Sequence, residues 1–158
     1  MLRELVGHEA EVRPLCPRCG GPHGPLTTTI AGRPGPLISV AYANPVVVVG
    51  VGPENAAAFG IDVELDLPDR RNAVREAIGT DEVTEWTRLE AIAKARREGI
   101  RDGVSRPRVH GSAAGWRVDA RAGELALVGF DLRVPSWVGG PEAVISVASG
   151  GGSEAARA

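Results

Sequence analysis

The sequence predicts a mixed chain in which strands flank a central helical region. Three observations predict it. Two β-rich runs, residues 37–43 and 45–51, meet at Asn44-Pro45. Apolar and acidic side chains then alternate through Gly60-Ile61-Asp62-Val63-Glu64-Leu65, the period of a strand. Helical spacing takes over from Asp69 to near Gly99, after which β-rich runs return.

The 158 residues suffice for one domain of ordinary size or two very small lobes. A formal net charge of −2 gives no basic surface of the kind that binds nucleic acid. No apolar run approaches the ~20 residues that a membrane-spanning helix needs. Met1-Leu2-Arg3 opens no signal peptide, because Glu4 and His8-Glu9 interrupt any apolar core, so the expected compartment is the cytoplasm. The 21 Gly, with a single Tyr, point to coding bias more than to function.

In chain order, residues 1–15 read as a short helix or irregular lead-in. Residues 16–36 are rich in Gly and Pro and read as a loop, with residues 26–30 as a short strand. Cys16, Cys19 and His23 form Cys-x₂-Cys-x₃-His, three candidate zinc ligands. A structural zinc site is tetrahedral and no second Cys pair exists, so a tight turn with reduced thiols and no stoichiometric zinc is expected. A redox pair lacks a surrounding thioredoxin-like pattern. Gly24 belongs to a Gly/Pro cluster that lets backbone approach a ligand, or serves only as a connector.

Residues 37–43 and 45–51 read as an antiparallel pair broken at Asn44-Pro45, the Val-rich second run as a strand buried on both faces. Next comes the acidic strand. Residues 69–78 read as a short amphipathic helix. The following helix starts with Thr80 as N-cap and ends near Gly99, with Arg96-Arg97 favourable to its dipole. Residues 116–120, 125–132 and 143–148 read as three further strands, and Gly123 serves the turn between the first two. Residues 104–109 are only weakly strand-like, and residues 149–158 read as a flexible tail.

Two acids on one strand face repel unless a proton or cation sits between them. Asp62 and Glu64 therefore suit a hard divalent ion such as Mg²⁺, with phosphates completing its shell; the bland alternative is an edge strand with a solvated acidic face. On the long helix, Trp86, Glu90 and Lys94 fall at i, i+4 and i+8 and form one stripe, with Leu89 and Ala93 on its apolar side. Glu90 is the natural helical partner of Lys94, and such a pair stabilises by only ~0.3–0.5 kcal/mol.

Together, Gly60-Ile61-Asp62-Val63-Glu64 and the stripe Trp86, Glu90, Ala91, Lys94 resemble the two signatures of the 4'-phosphopantetheinyl transferase superfamily. The strand signature matches in full. In the helix, Leu89 stands where the family often has Lys, and Arg88 lies one position earlier. The order of the runs resembles the two-lobed branch, over roughly residues 16–148. Many two-lobed members also carry a segment similar to that around Cys16, Cys19 and His23.

The resemblance implies an α+β fold of two small pseudo-repeated lobes, each of antiparallel sheet plus helix. Within a single domain, 1–148, the abbreviated first lobe spans about 16–58 and the second 59–148. It implies transfer of phosphopantetheine from coenzyme A to a Ser of an apo acyl- or peptidyl-carrier protein. By the same resemblance Asp62, Glu64 and Glu90 hold Mg²⁺, Glu90 is the general base, and Lys94 neutralises the leaving phosphate. Coenzyme A would lie between the lobes, against His23, Gly24, Ser39, Tyr42, Asp62 and Lys94. The shortened lobe leaves room for completion by a second chain in a homo-oligomer.

The chain departs from the family at three places. Pro25 follows Gly24 where a basic residue usually precedes the proline, Tyr42 replaces a phosphate-binding His, and the amino-terminal region is short. Tyr42 either donates one hydrogen bond to a phosphate or is simply a core or turn aromatic. Lost charge-assisted contacts at ~1.5–3 kcal/mol each would weaken coenzyme binding. A binding or scaffold protein that has kept the fold and lost transfer, or acts on another ligand, is therefore the second reading.

Overall fold

The computed structural model describes residues 2–7, 9–16, 19–22, 24–98, 106–120, 124–137 and 139–151. Helix α1 (Leu2–Val6) is the short helix expected in the lead-in, and strand β1 (Ala10–Pro14), which was not expected, follows it. β1 pairs antiparallel with β2 (Leu26–Ile30), which pairs with the short β3 (Arg33–Pro34). Val6, Ala10 and Ile38 seal this unit, with Val12, Leu26, Ile30 and Val51 packed around them.

β4 (Ile38–Ala43) and β5 (Val46–Val51) make the expected antiparallel pair, with Ile38 opposite Val51 and Ala43 opposite Val46. The Val-rich strand is not buried on both faces. β5 has one hydrogen-bonded partner, and Val47 is 55 % exposed. The β4–β5 pair uses one face to cover β6 (Ala56–Leu65), and the other remains in water.

The main sheet is antiparallel, in the order β6, β10 (Glu142–Gly151), β9 (Val128–Pro135), β8 (Gly115–Val118), β7 (Val109–Ser112). Helices α2 (Pro68–Ile78) and α3 (Val83–Ala95) connect β6 to the rest, and α3 lies on one face of the sheet. The architecture is thus α+β with antiparallel sheets. On the other face, Ile61, Val63, Leu65, Ala143 and Ile145 pack beneath Ala41. Under α3, the core is Ala58, Ala91, Ile92, Ala95, Trp116, Val118, Leu127 and Ala148. A fully buried Ile or Val such as Ile92 or Val63 stabilises by about 1.5–3 kcal/mol. The uncovered part of the sheet shows Val128, Phe130, Leu132 and Val134 to solvent.

Local chemistry sets the helix ends. Pro68 occupies the first turn of α2, where its missing N–H has no intrahelical partner to lose. Gly79 closes α2 at φ 75°, its N–H donating to the Arg75 carbonyl. α3 starts later than expected. Its N-cap is Glu82, and Thr80 stands outside, its hydroxyl accepting the Glu82 N–H at 3.3 Å. The helix ends at Ala95, short of Gly99, with Arg96 as C-cap.

The buried side of α3 is Val83, Thr87, Ala91, Ile92 and Ala95, while Leu89 and Ala93 are only half-buried. Ala91 and Ala95 meet Gly60, and this rotation of the helix turns Leu89 and Ala93 partly out of the core. Strand β10 runs through Gly151, so residues 149–151 are sheet rather than tail, and residues 152–158 lie outside the described residues. So does the turn expected at Gly123.

Candidate functional site

The site begins with a close approach of helix to strand. A Cβ on Gly60 would run into the Ala91 carbonyl oxygen and the Ala95 backbone nitrogen. Only glycine lets α3 rest directly on β6 there. Ala91 and Ala95 complete the contact from the helix side, and both are buried. Lys94, beside Ala95, then reaches Asp62, two residues along β6 from Gly60. Its ammonium lies 2.8 Å from Asp62 Oδ1. Lys94 therefore makes its ion pair across the helix–strand seam, not with Glu90 one turn earlier.

Asp62 and Glu64 share the face of β6 that α3 covers, opposite Ile61, Val63 and Leu65. The acidic face is consequently not a solvated edge. Asp62 is buried, and burial raises its pKa despite the opposing charge of Lys94. Its second oxygen, Oδ2, is buried without a hydrogen-bond partner. Glu64 is half-buried, and burial raises its pKa as well. Arg70 opposes that shift, the Asp62 charge adds to it, and a hydrogen bond from the Trp86 indole also opposes it. The Glu90 carboxyl is raised first by burial and second by the charge of Asp62. Three partly desolvated acids thus stand together, each with its pKa raised above the ordinary value.

Two cations already serve this cluster. Lys94 serves Asp62. Arg70, from the first turn of α2, donates from Nη2 to Glu64 Oε1. The Arg70 charge also lowers the pKa of all three acids. Its guanidinium lies over the Trp86 ring, 5.4 Å from the centroid. Sequence reasoning placed Arg70 on a helix but missed it as a site residue. The missed signal was an Arg in the first turn of the helix that directly follows the acidic strand.

Among the described residues, no group of three His, Cys, Asp or Glu side chains converges to hold a metal ion. Two carboxylates could hold a magnesium ion, Asp62 through Oδ2 and Glu90, whose pKa the Asp62 charge raises. Mg²⁺ commonly takes one or two carboxylates and completes its shell with water and phosphate. Glu64 can join only when Arg70 releases it.

The remaining predicted site residues are differently placed. Ser39 is buried on β4, and its hydroxyl accepts the Ile61 N–H at 3.0 Å, so a side chain satisfies the outer edge of β6. Tyr42, 76 % exposed, is a surface aromatic. Gly24 has φ 98°, and a Cβ there would meet Cys16 Cα at 3.2 Å, so its glycine allows two parts of the loop to pack together. Gly20 N–H donates to Cys16 O (2.9 Å) and Cys16 N–H to Gly21 O (3.0 Å). His23 lies outside the described residues.

Beside the site runs a second polar row that the sequence did not reveal. Asp62, Ser146 and Asp131 are direct cross-strand neighbours on β6, β10 and β9. Asp131 Oδ1 accepts from Ser146 Oγ (2.8 Å) and Trp116 Nε1 (3.0 Å), and Oδ2 accepts from Arg88 Nε (2.9 Å) and Nη2 (2.6 Å). This buried carboxylate is well satisfied, and it anchors α3 to three strands. Asp62 in the same row is not, and the difference separates a structural acid from a candidate functional one. Comparison with family models, curated proteins and solved structures finds no match to this chain.

Proposed function

We propose that the protein is a Mg²⁺-dependent 4'-phosphopantetheinyl transferase that modifies a Ser of an acyl- or peptidyl-carrier protein with coenzyme A as donor. In this reading the two-lobed fold divides at about residue 58, and the site lies on the second lobe. One observation carries it: the buried Asp62 Oδ2 has no donor while Lys94 holds the other oxygen of the same carboxylate. A carboxylate held in this way is a ready ligand for a cation and stands beside an ammonium suited to phosphate.

Asp62 and Glu90 would hold Mg²⁺, with Glu64 added when Arg70 moves away. The bound ion would neutralise oxygens of the diphosphate. The protein's own groups do the rest. The carrier Ser hydroxyl attacks the β-phosphorus of coenzyme A as the bond to the leaving 3′,5′-ADP breaks. Glu90 takes the Ser proton as general base. Lys94 faces the charge that builds on the leaving phosphate.

Two observations favour the second reading, a binding protein or repurposed homologue. The Ser39 hydroxyl is committed to Ile61, and Tyr42 projects into water without positive charge at neutral pH. Incubation of apo acyl- and peptidyl-carrier proteins with coenzyme A, Mg²⁺ and this protein, read by mass spectrometry, separates the two. Transfer predicts addition of one phosphopantetheine group. Tight coenzyme binding by calorimetry without any mass gain selects the binding protein.

A further inference from the structure

Among the described residues, three buried side-chain nitrogen or oxygen atoms make no hydrogen bond of good geometry: Asp62 Oδ2, Arg70 Nε and Trp86 Nε1. The Trp86 N–H acts on Glu64 and lowers its pKa, so Trp86 and Arg70 both serve that acid. All three belong to one cluster. Arg70 stacks over Trp86, and its charge acts on Asp62. Buried polar atoms are almost always well satisfied, and a poorly satisfied set suits a ligand that offers better geometry. The set is chemically specific. Two atoms are donors and one is an acceptor. A bare metal ion would satisfy only the acceptor. A bare anion would satisfy only the donors. A phosphate oxyanion bound together with a cation satisfies all three.

We propose that Arg70 and Trp86 form an oxyanion subsite for a diphosphate, and that Arg70 exchanges Glu64 for the ligand when it binds. At Glu64 the Arg70 guanidinium occupies the place a cation would take. An incoming diphosphate competes for that guanidinium. It offers oxygens to Arg70 Nε and to the Trp86 N–H, and the freed Glu64 turns to the metal beside Asp62. The subsite deepens the transferase reading and rests on it only for the identity of the diphosphate. Lys94 and Arg70 would then approach the ligand from α3 and α2. An Arg suits this task because its planar donors match phosphate oxygens, whereas Lys acts as a point charge.

The test uses inorganic pyrophosphate, with and without Mg²⁺, followed by calorimetry and tryptophan emission. The wild type binds pyrophosphate in Mg²⁺ with a change in emission as Arg70 shifts over Trp86. Arg70→Gln weakens pyrophosphate about tenfold or more, the loss of one charge-assisted contact. The same variant binds Mg²⁺ alone more tightly, because Glu64 has lost its competing cation. This opposition of signs is not expected of a salt bridge that merely supports the fold. Arg70→Lys keeps a charge on Glu64 and preserves the fold, yet also weakens pyrophosphate, because Nε is gone. Trp86→Phe keeps the ring, loses the N–H, weakens pyrophosphate and abolishes the emission change.

Unchanged pyrophosphate affinity in Arg70→Gln or Arg70→Lys would overturn the subsite. So would Mg²⁺ binding that weakens in Arg70→Gln, or an emission change that persists in Trp86→Phe. Carrier modification without these effects leaves the transferase reading standing and removes the subsite. The effects without carrier modification leave the subsite standing and remove the transferase reading.

Discussion

Lys94 on α3 holds Asp62 on β6 at 2.8 Å, a pairing between residues 32 positions apart in sequence. It lies beside the contact of Gly60 with the α3 backbone, where a Cβ on Gly60 would meet the Ala91 carbonyl oxygen and the Ala95 nitrogen. A side chain at position 60 must push the helix off the sheet.

Gly60→Ala should therefore destabilise the protein by about 1–3 kcal/mol, the usual range for overpacking against atoms that cannot move aside. The denaturation midpoint measures this. The Lys94–Asp62 pair should also loosen, so magnesium-dependent ligand binding should fall in the fraction that remains folded. A variant as stable as wild type would mean that α3 does not rest on Gly60.

Asp131→Ala removes an acceptor that serves Arg88, Trp116 and Ser146 together. The Arg88 guanidinium would be left largely buried and unpaired, and breaking such a pair costs about 3–5 kcal/mol. Chemical denaturation should show a loss of this size. Asp131→Asn should lose less, because its carbonyl oxygen can still accept. Equal loss in both variants would contradict the assigned network.

Glu90 gives a pH-dependent expectation without divalent cations. Burial and Asp62 raise its folded pKa above the ordinary 4.5. At neutral pH the charged carboxylate in the folded state therefore opposes stability. As pH falls through the raised folded pKa, the carboxyl takes up a proton and the penalty is relieved; below 4.5 both states are protonated and nothing remains. Glu90→Gln should thus be more stable than wild type at pH 7, and the gain should vanish by about pH 4. Thermal melts across that range decide it. A gain that grows on acidification would reverse the sign and refute the burial of Glu90.

Much of this arrangement was legible in the sequence. The alternation in residues 60–65 placed Asp62 and Glu64 on one face and Ile61, Val63 and Leu65 on the other, as the two-sided packing of β6 requires. Helical spacing put Glu90 and Lys94 at the margin of the buried face. What sequence reasoning missed was tertiary. Leu89 looked like the core side of α3 because it is large and apolar, yet Ala91 and Ala95 are the residues that meet Gly60, which turns Leu89 partly out of the core. Lys94 looked like the partner of Glu90 because helical spacing sees only one helix. Arg70 and Asp131 carried no local pattern, since their partners come from other elements. Ser39 resembled a ligand contact, and its hydroxyl instead satisfies the edge of β6.

The most direct test compares wild type with Lys94→Ala in the transfer of phosphopantetheine from coenzyme A to apo carrier proteins, followed by mass spectrometry in the presence of Mg²⁺. Circular dichroism run in parallel reports whether the variant folds, because Asp62 loses its ion pair. The account predicts that the wild type adds one phosphopantetheine group. It predicts that folded Lys94→Ala does so about 10²–10³ times more slowly, as expected when a charge facing a developing phosphate charge is lost. Equal rates in the two proteins, or no modification of any acyl- or peptidyl-carrier protein by the wild type, would contradict it.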